Sequence, residues 1–177
     1  MIPDIDHILI ARGAISDRVR SLGEAITQNL GDVDDDEEIV LVAVMTGSLI
    51  FVADLMCHLP MKIRIQLMTA NSYIGKTTKS SGDPLLGKIP DVEGRHILLV
   101  DDILDSGKTL TRVRSELQTL QPKSIRTCVL LRKKLPSAME VPCEYVGFEI
   151  EDEFVVGYGL DYDGYYRNLP DIGVICP

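Results

Sequence analysis

The sequence has no excess of positive charge, no paired-cysteine motif, no closely spaced histidines, no internal repeat and no long apolar run, and each lack excludes something. Lys plus Arg number 18 against 27 Asp plus Glu, a formal net charge of -9. Non-specific binding to nucleic acid or to anionic lipid needs a positive surface, so neither partner is expected. An anionic small substrate stays open, because it responds to local groups and to any bound metal rather than to the total. Cys57, Cys128, Cys143 and Cys176 form no C-x-x-C pair, and Cys57 and Cys128 sit inside apolar runs. They read as reduced, mostly buried thiols rather than a disulfide frame or a zinc site. His7, His58 and His96 show neither H-x-x-x-H nor H-E-x-x-H spacing, which argues against a histidine metal site. The first residues, Met1-Ile2-Pro3-Asp4-Ile5-Asp6, are acidic where a secretory leader is basic. No apolar run approaches the ~20 residues of a membrane span. A soluble, cytoplasmic protein is expected.

What is present is ordinary for one globular domain. The chain has 177 residues, 45% apolar and 25% charged, against roughly 100–200 residues per domain. A chain of this size buries about 70% of the surface that its unfolded form exposes, so it needs no covalent staples. The acidic stretch 32–38 lacks the alternating ligands of a calcium loop and reads as a solvated loop.

Periodicity gives the order of elements. Ile15, Val19, Leu22, Ile26 and Leu30 share one helix face, and Gly31 stops the helix. Ile39 to Met45 is a β-branched run with no polar alternation, as in a central parallel strand. Ser48 to His58 predicts a helix apolar almost all round, either fully buried or half of an oligomer contact. Met61 to Ala70 reads as a strand. Asn71 to Val92 holds several Gly, Pro, Ser and Thr residues, and such long irregular segments are usually functional. His96 to Val100 predicts a strand; Leu110, Val113, Leu117 and Leu120 mark a helix; Ser124 to Leu131 is a strand. Tyr145 to Ile150, Phe154 to Leu160 and a short Ile172 to Cys176 follow as strands. Alternating strand and helix predicts an α/β fold, a parallel sheet flanked by helices. The Tyr- and Gly-rich tail breaks that rhythm and is expected to form a cap with the first residues of the chain. In open α/β sheets ligands bind beyond the carboxyl ends of the strands, so chemistry belongs directly after each strand.

After the strand Ile97-Leu98-Leu99-Val100 comes Asp101-Asp102-Ile103-Leu104-Asp105-Ser106-Gly107-Lys108-Thr109, then a helix. A glycine turn entering a helix N-terminus presents backbone N–H groups outward and makes an anion cradle. Ser106 and Thr109 add hydroxyl donors, and Lys108 is close by. Asp101 and Asp102 suit a pair of sugar hydroxyls or a divalent cation, and Asp105 would lie near the bond being made. Acids followed at once by a phosphate nest match a ribose 5-phosphate. Taken singly, an Asp-Asp pair can cap a strand and Asp-Ser-Gly can be a plain turn; together within nine residues they point to function. A P-loop would need Gly five positions before Gly107, where Asp102 stands. A phospho-receiver would carry its acids after the first strand, with no phosphate nest following.

The segment Val100 to Thr109 resembles the phosphoribosyl-pyrophosphate signature of type I phosphoribosyltransferases. Met45-Thr46-Gly47-Ser48, Ser72-Tyr73, Ser81-Gly82-Asp83, Lys133, and the block from Val146 through Phe154-Val155-Val156-Gly157-Tyr158-Gly159-Leu160-Asp161-Tyr162 to Arg167 extend the likeness to the hypoxanthine-guanine branch, over nearly the whole chain. The resemblance implies the type I phosphoribosyltransferase fold as a single domain: a twisted parallel sheet with a core of about 15–150, a small hood from about 1–12 and 151–177, and a lid at about 71–92. It implies transfer of a 5-phosphoribosyl group from phosphoribosyl pyrophosphate to N9 of hypoxanthine or guanine, giving IMP or GMP and pyrophosphate, with Mg2+.

On this resemblance Asp101 and Asp102 hold the ribose hydroxyls and serve the metal. Asp105 to Thr109 bind the 5-phosphate, and Asp105 is the general base. Thr46 and Gly47, across a cis Met45–Thr46 peptide, contact pyrophosphate together with Arg167. Lys133 donates to the 6-oxo group, Phe154 stacks on the purine and Val155 meets it through backbone. Asp161 serves both metal and base, and Ser72 and Tyr73 work the lid. The family usually has Glu at Asp101 and Lys at Thr46. A xanthine-preferring transferase and an RNA-binding regulator are the competing readings, and a homodimer or homotetramer is expected.

Overall fold

The computed structural model describes residues 4–30, 38–69 and 91–176. In chain order the elements are β1 (Ile5–Ile10), α1 (Arg12–Leu30), β2 (Ile39–Met45), α2 (Leu49–Met56), β3 (Ile63–Thr69), β4 (His96–Leu104), α3 (Lys108–Thr119), β5 (Ser124–Lys133), α4 (Pro136–Met139), β6 (Tyr145–Ile150), β7 (Val155–Val156) and β8 (Ile172–Ile175). Five strands form a parallel sheet in the order β3-β2-β4-β5-β6, and β1-β8-β7 form a small antiparallel sheet. The architecture is α/β, with the parallel sheet flanked by helices.

The unbroken apolar run of β2 has its reason in burial on both faces. Leu41 and Ala43 join the core with Ile15, Val19, Leu22 and Ile26 of α1 and Phe51 and Leu55 of α2. Val40, Val42 and Val44 join a second core with Leu110, Val113 and Leu117 of α3. Burying each such side chain stabilises the fold by about 1.5–3 kcal/mol before chain entropy is counted. The tail is tied back to the body where Arg12, at the start of α1, donates its backbone N–H to Asp171 Oδ1 at 2.7 Å.

Strand order locates the site. From β2 the chain moves outward to β3, then returns to place β4 on the other side of β2 and continues to β5 and β6. The reversal falls between β2 and β4, where loops diverge and leave a crevice at the carboxyl ends. Pairing of β2 with β4 stops at Ala43 and Val100, whereas β5 pairs with β4 as far as Leu104. From Asp101 on, one edge of β4 is therefore released from β2, while the other stays paired with β5 at Asp101, Ile103 and Leu104, with Asp102 skipped.

Several sequence expectations change. The fourth strand does not end at Val100: support from β5 carries it through both acids to Leu104. Phe154 to Leu160 is not one strand. Only Val155–Val156 pairs with β8, because Gly157, Tyr158 and Gly159 all take positive φ (97°, 50° and 102°) and turn the chain. The second helix is not buried all round. Phe51, Val52 and Leu55 face the core, while Leu49 is 55% exposed. The thiols are not mostly buried, since Cys57 and Cys176 are exposed and only Cys128 is fully buried; Cys57 falls at the C-cap, outside the inward face of α2. Residues 71–90 of the expected lid, with Ser72 and Tyr73, lie outside the described residues. Its last two positions belong to the body: Val92 is buried, and Asp91 pairs with Arg95 at 2.6 Å. Among the described residues no helix is long and apolar enough to cross a membrane.

Candidate active site

The segment expected to form a phosphate nest lies where β4 turns into α3. Gly107 is the N-cap residue, with φ 79° in the left-handed region and no side-chain cap on the helix. A β-carbon there would also press on Val141 Cγ2. The amides of the first turn of α3 are thus left without a side-chain partner at the helix end that attracts anions. Ser106, Lys108 and Thr109 are exposed around this turn. A cleft of about 300 Å³ opens here, lined by Met45, Gly47, Asp101, Asp102, Asp105, Ser106, Gly107 and Thr109, among others. Thr46 and Lys108 stand beside the cleft rather than in its lining. The Met45–Thr46 peptide bond is cis.

The floor of the cleft is a pair of carboxylates. Asp101 is 6% exposed. The Asp102 backbone N–H donates to Asp101 Oδ1 at 3.0 Å, and the Ile103 N–H donates to Asp102 Oδ1 at 2.9 Å. Burial, with the charge of Asp102 added, holds the Asp101 carboxyl well above the usual carboxylate range. Burial raises Asp102 as well, against hydrogen bonds and the nearby charge of Arg167, which pull it down. Gly47 faces this pair so closely that a β-carbon would land on the Asp102 carboxylate.

A second cleft of about 220 Å³ is lined by Asp102, Ile103, Asp105, Lys133, Glu153, Phe154, Val155, Leu160 and Asp161. It shares Asp102, Ile103 and Asp105 with the first, so the two open onto the same wall. Lys133 Nζ lies 2.8 Å from Asp152 Oδ1 and 3.3 Å from Asp105 Oδ1. Burial alone would lower the Lys133 pKa, but the bond to Asp152 and the field of Asp105 outweigh it and leave the ammonium above its usual value. Phe154 is 43% exposed and meets the edge of Tyr162 at 5.5 Å. Val155 is buried in β7.

Arg167 does not line either cleft. Its guanidinium donates to Gly159 O at 2.5 Å and pairs with Asp161 Oδ1 at 2.6 Å, while the Gly164 N–H donates to Asp161 Oδ2 at 2.8 Å. Asp152 and Glu153 belong to this region and carry no mark in the sequence beyond acidity in a turn. Ile103, which lines both clefts, and Leu160, which lines the second, reveal themselves only by position.

Among the described residues no three His, Cys, Asp or Glu side chains gather as a metal cage. Magnesium rarely needs one. It takes one or two carboxylates, keeps waters and completes its shell with substrate oxygens. Asp101 and Asp102 fit that donor set, and a cation held there would offset the burial and the mutual repulsion that lift Asp101.

A parallel sheet with an amide nest and paired acids at its reversal point defines an α/β enzyme that handles a sugar phosphate. The phosphoribosyl transferase domain family matches residues 11–163. The hypoxanthine-guanine phosphoribosyltransferase of Mycobacterium avium is 40% identical over 178 residues, covering 98% of this chain and 87% of that protein. The hypoxanthine phosphoribosyltransferase of Escherichia coli K12 is 41% identical over 170 residues, covering 96% and 94%. The crystal structure of a hypoxanthine-guanine phosphoribosyltransferase from Bacillus anthracis superposes with a TM-score of 0.82 at 36% identity, covering 98% of this chain and all of that one. The chain belongs to the phosphoribosyl transferase family.

Proposed function

We propose that this chain transfers the 5-phosphoribosyl group of phosphoribosyl pyrophosphate to N9 of hypoxanthine or guanine and releases pyrophosphate. The observation that carries this is the common wall of the two clefts: Asp105 stands between an anion nest and a purine-sized slot that offers an ammonium and an aromatic face.

The amides around Gly107, with Ser106, Lys108 and Thr109, hold the 5-phosphate. Asp101 and Asp102 accept from the ribose hydroxyls. Thr46 and Gly47 meet pyrophosphate through backbone, and Arg167 turns from Asp161 toward the same anion. Lys133 donates to the 6-oxo group, Phe154 covers the ring, and Val155 and Asp161 contribute backbone groups at its edge. As the C1′–O bond to pyrophosphate breaks, the N9–C1′ bond forms and the ring proton passes to the Asp105 carboxylate. Positive charge developing on the ribose is favoured by the nearby acids. Asp101 and Asp102, with Asp161 nearby, would hold magnesium, which would supply positive charge against the departing anion.

The two relatives at 40–41% identity are named for hypoxanthine, alone or with guanine, so a xanthine preference is not favoured. The net charge of -9 speaks against an RNA-binding role. A cytoplasmic location, a hood built on the β1-β8-β7 sheet and a homodimer or homotetramer belong to the same proposal, the last supported by the outward Leu49 of α2. The test is a panel of hypoxanthine, guanine, xanthine and adenine with phosphoribosyl pyrophosphate and magnesium, following pyrophosphate release. Release with hypoxanthine or guanine is expected; release with neither overturns the assignment.

A further inference from the structure

The Lys133 side chain is only 11% exposed, and two acids from different elements share its ammonium. Asp105 comes from the turn between β4 and α3, and Asp152 from the link between β6 and β7. The shorter contact, 2.8 Å, goes to Asp152, the one of the two that does not line either cleft. Three rungs join the end of β5 and the residue after it to the end of β6 and the acidic link that follows: Arg132 with Glu149, Lys133 with Asp152, and Lys134 with Glu151. Of the three bases only Lys133 also lines the slot with Phe154 and Val155.

We propose that Asp152 is a positioning residue for purine recognition: it takes the shorter contact of the Lys133 ammonium, 2.8 Å against 3.3 Å, so that the ammonium does not close fully on Asp105 and its third N–H meets the 6-oxo group. The inference deepens the function proposed above and rests on it. An ammonium has three donors and no acceptor. With two donors spent on carboxylates, the third has one fixed direction, and it can satisfy an oxo group but not an amino group. Without Asp152, the carboxylate left within reach of the largely buried ammonium is Asp105, 3.3 Å away. The ammonium would close on it, turning from the purine and neutralising the proton acceptor. The Asp152 end of the bridge is 61% exposed, so the contact adds little to fold stability. Its geometry serves the slot.

Steady-state kinetics on Asp152→Ala, Asp152→Glu, Lys133→Ala and the Lys133→Ala/Asp152→Ala double variant test this, with hypoxanthine and phosphoribosyl pyrophosphate varied separately. Asp152→Ala is expected to raise KM for hypoxanthine about tenfold, the loss that removing a charge-assisted hydrogen bond brings. It should lower kcat and leave KM for phosphoribosyl pyrophosphate at its wild-type value. Asp152→Glu should recover most of the loss, and the double variant should be no worse than Lys133→Ala. Should Asp152→Ala not fold, Asp152→Ser, whose side chain is too short to reach the ammonium, takes its place with the same expectations. Wild-type constants in an active protein, equal loss for both substrates, or full additivity with Lys133→Ala would overturn the role of Asp152 alone. A wild-type chain inert toward hypoxanthine and guanine would overturn the functional reading and this inference with it.

Discussion

The α-carbon of Gly47 faces the carboxylate of Asp102 with no room for a β-carbon between them. The loop after β2 and the acid at the end of β4 are thus fitted to one another across the reversal point of the sheet. Gly47→Ala must push Asp102 aside or lift the loop. Displacement of about 1 Å in a reacting geometry costs on the order of 100-fold, and that loss is expected in kcat/KM for phosphoribosyl pyrophosphate. Circular dichroism should still report a folded protein. An alanine variant with wild-type kcat/KM would mean that this contact has no part in catalysis.

Asp101 is held in the fold at a cost. Burial and the charge of Asp102 raise its carboxyl well above the usual range. A raised folded-state pKa contributes stability that is whole below the unfolded value of about 4 and is lost as pH climbs through the folded value. At neutral pH this residue therefore opposes folding, because the unfolded chain ionises it freely and the buried site disfavours the charge. Asp101→Asn keeps an Oδ1 acceptor for the Asp102 N–H and removes that penalty. It should stabilise the free protein by about 1 kcal/mol, or roughly 2–4 °C in Tm for a chain of this length. The gain should shrink as pH falls toward 4, while turnover at pH 7 drops. Calorimetric scans across pH decide it; a variant less stable than wild type at pH 7 would show that the carboxylate supports the fold instead.

How far the site could be read from sequence follows from how local each signal is. Asp101 to Thr109 was legible because acids, turn glycine and helix start lie within nine residues directly after a buried strand. The extent of β4 was not, since Asp101 and Asp102 look like a strand end and only the longer partner β5 carries the strand past them. The turn at Tyr158 was hidden for a related reason. Val155, Val156 and Tyr158 favour strand, and nothing near them announces that Tyr158 takes a φ of 50°. Cys57 looked buried because its neighbours are apolar, yet helix geometry turns it outward. Asp152 has no local mark at all; its meaning comes from Lys133, 19 positions earlier on β5.

Asp105 is the proton acceptor in the proposed reaction. In Asp105→Asn the amide oxygen can still accept from Lys133, but the side chain cannot take a proton. Substrate binding should persist, measured by titration calorimetry, while kcat falls by about 10²–10⁴-fold, the usual share of general base catalysis. Lys133→Ala should behave differently, weakening hypoxanthine far more than phosphoribosyl pyrophosphate. Wild-type turnover in Asp105→Asn would remove that residue from the mechanism.

Tyr158 joins the tail to the helix that follows the Thr46–Gly47 loop: its hydroxyl donates to Asp54 Oδ2 at 2.6 Å. Burial, reinforced by the adjacent Asp54 carboxylate, raises the phenol above its ordinary value. A raised folded-state pKa leaves this contribution whole below the unfolded value near 10, so the bond persists through neutral and mildly alkaline pH. Asp54 is exposed and can be rehydrated once its partner is gone. Tyr158→Phe should therefore cost about 1 kcal/mol, seen as a fall of about 2–4 °C in Tm. That deficit should be constant between pH 7 and pH 9. Were the deficit to vanish on raising pH across that window, the tyrosine would be ionising there and the link would not be a phenol donating to a carboxylate.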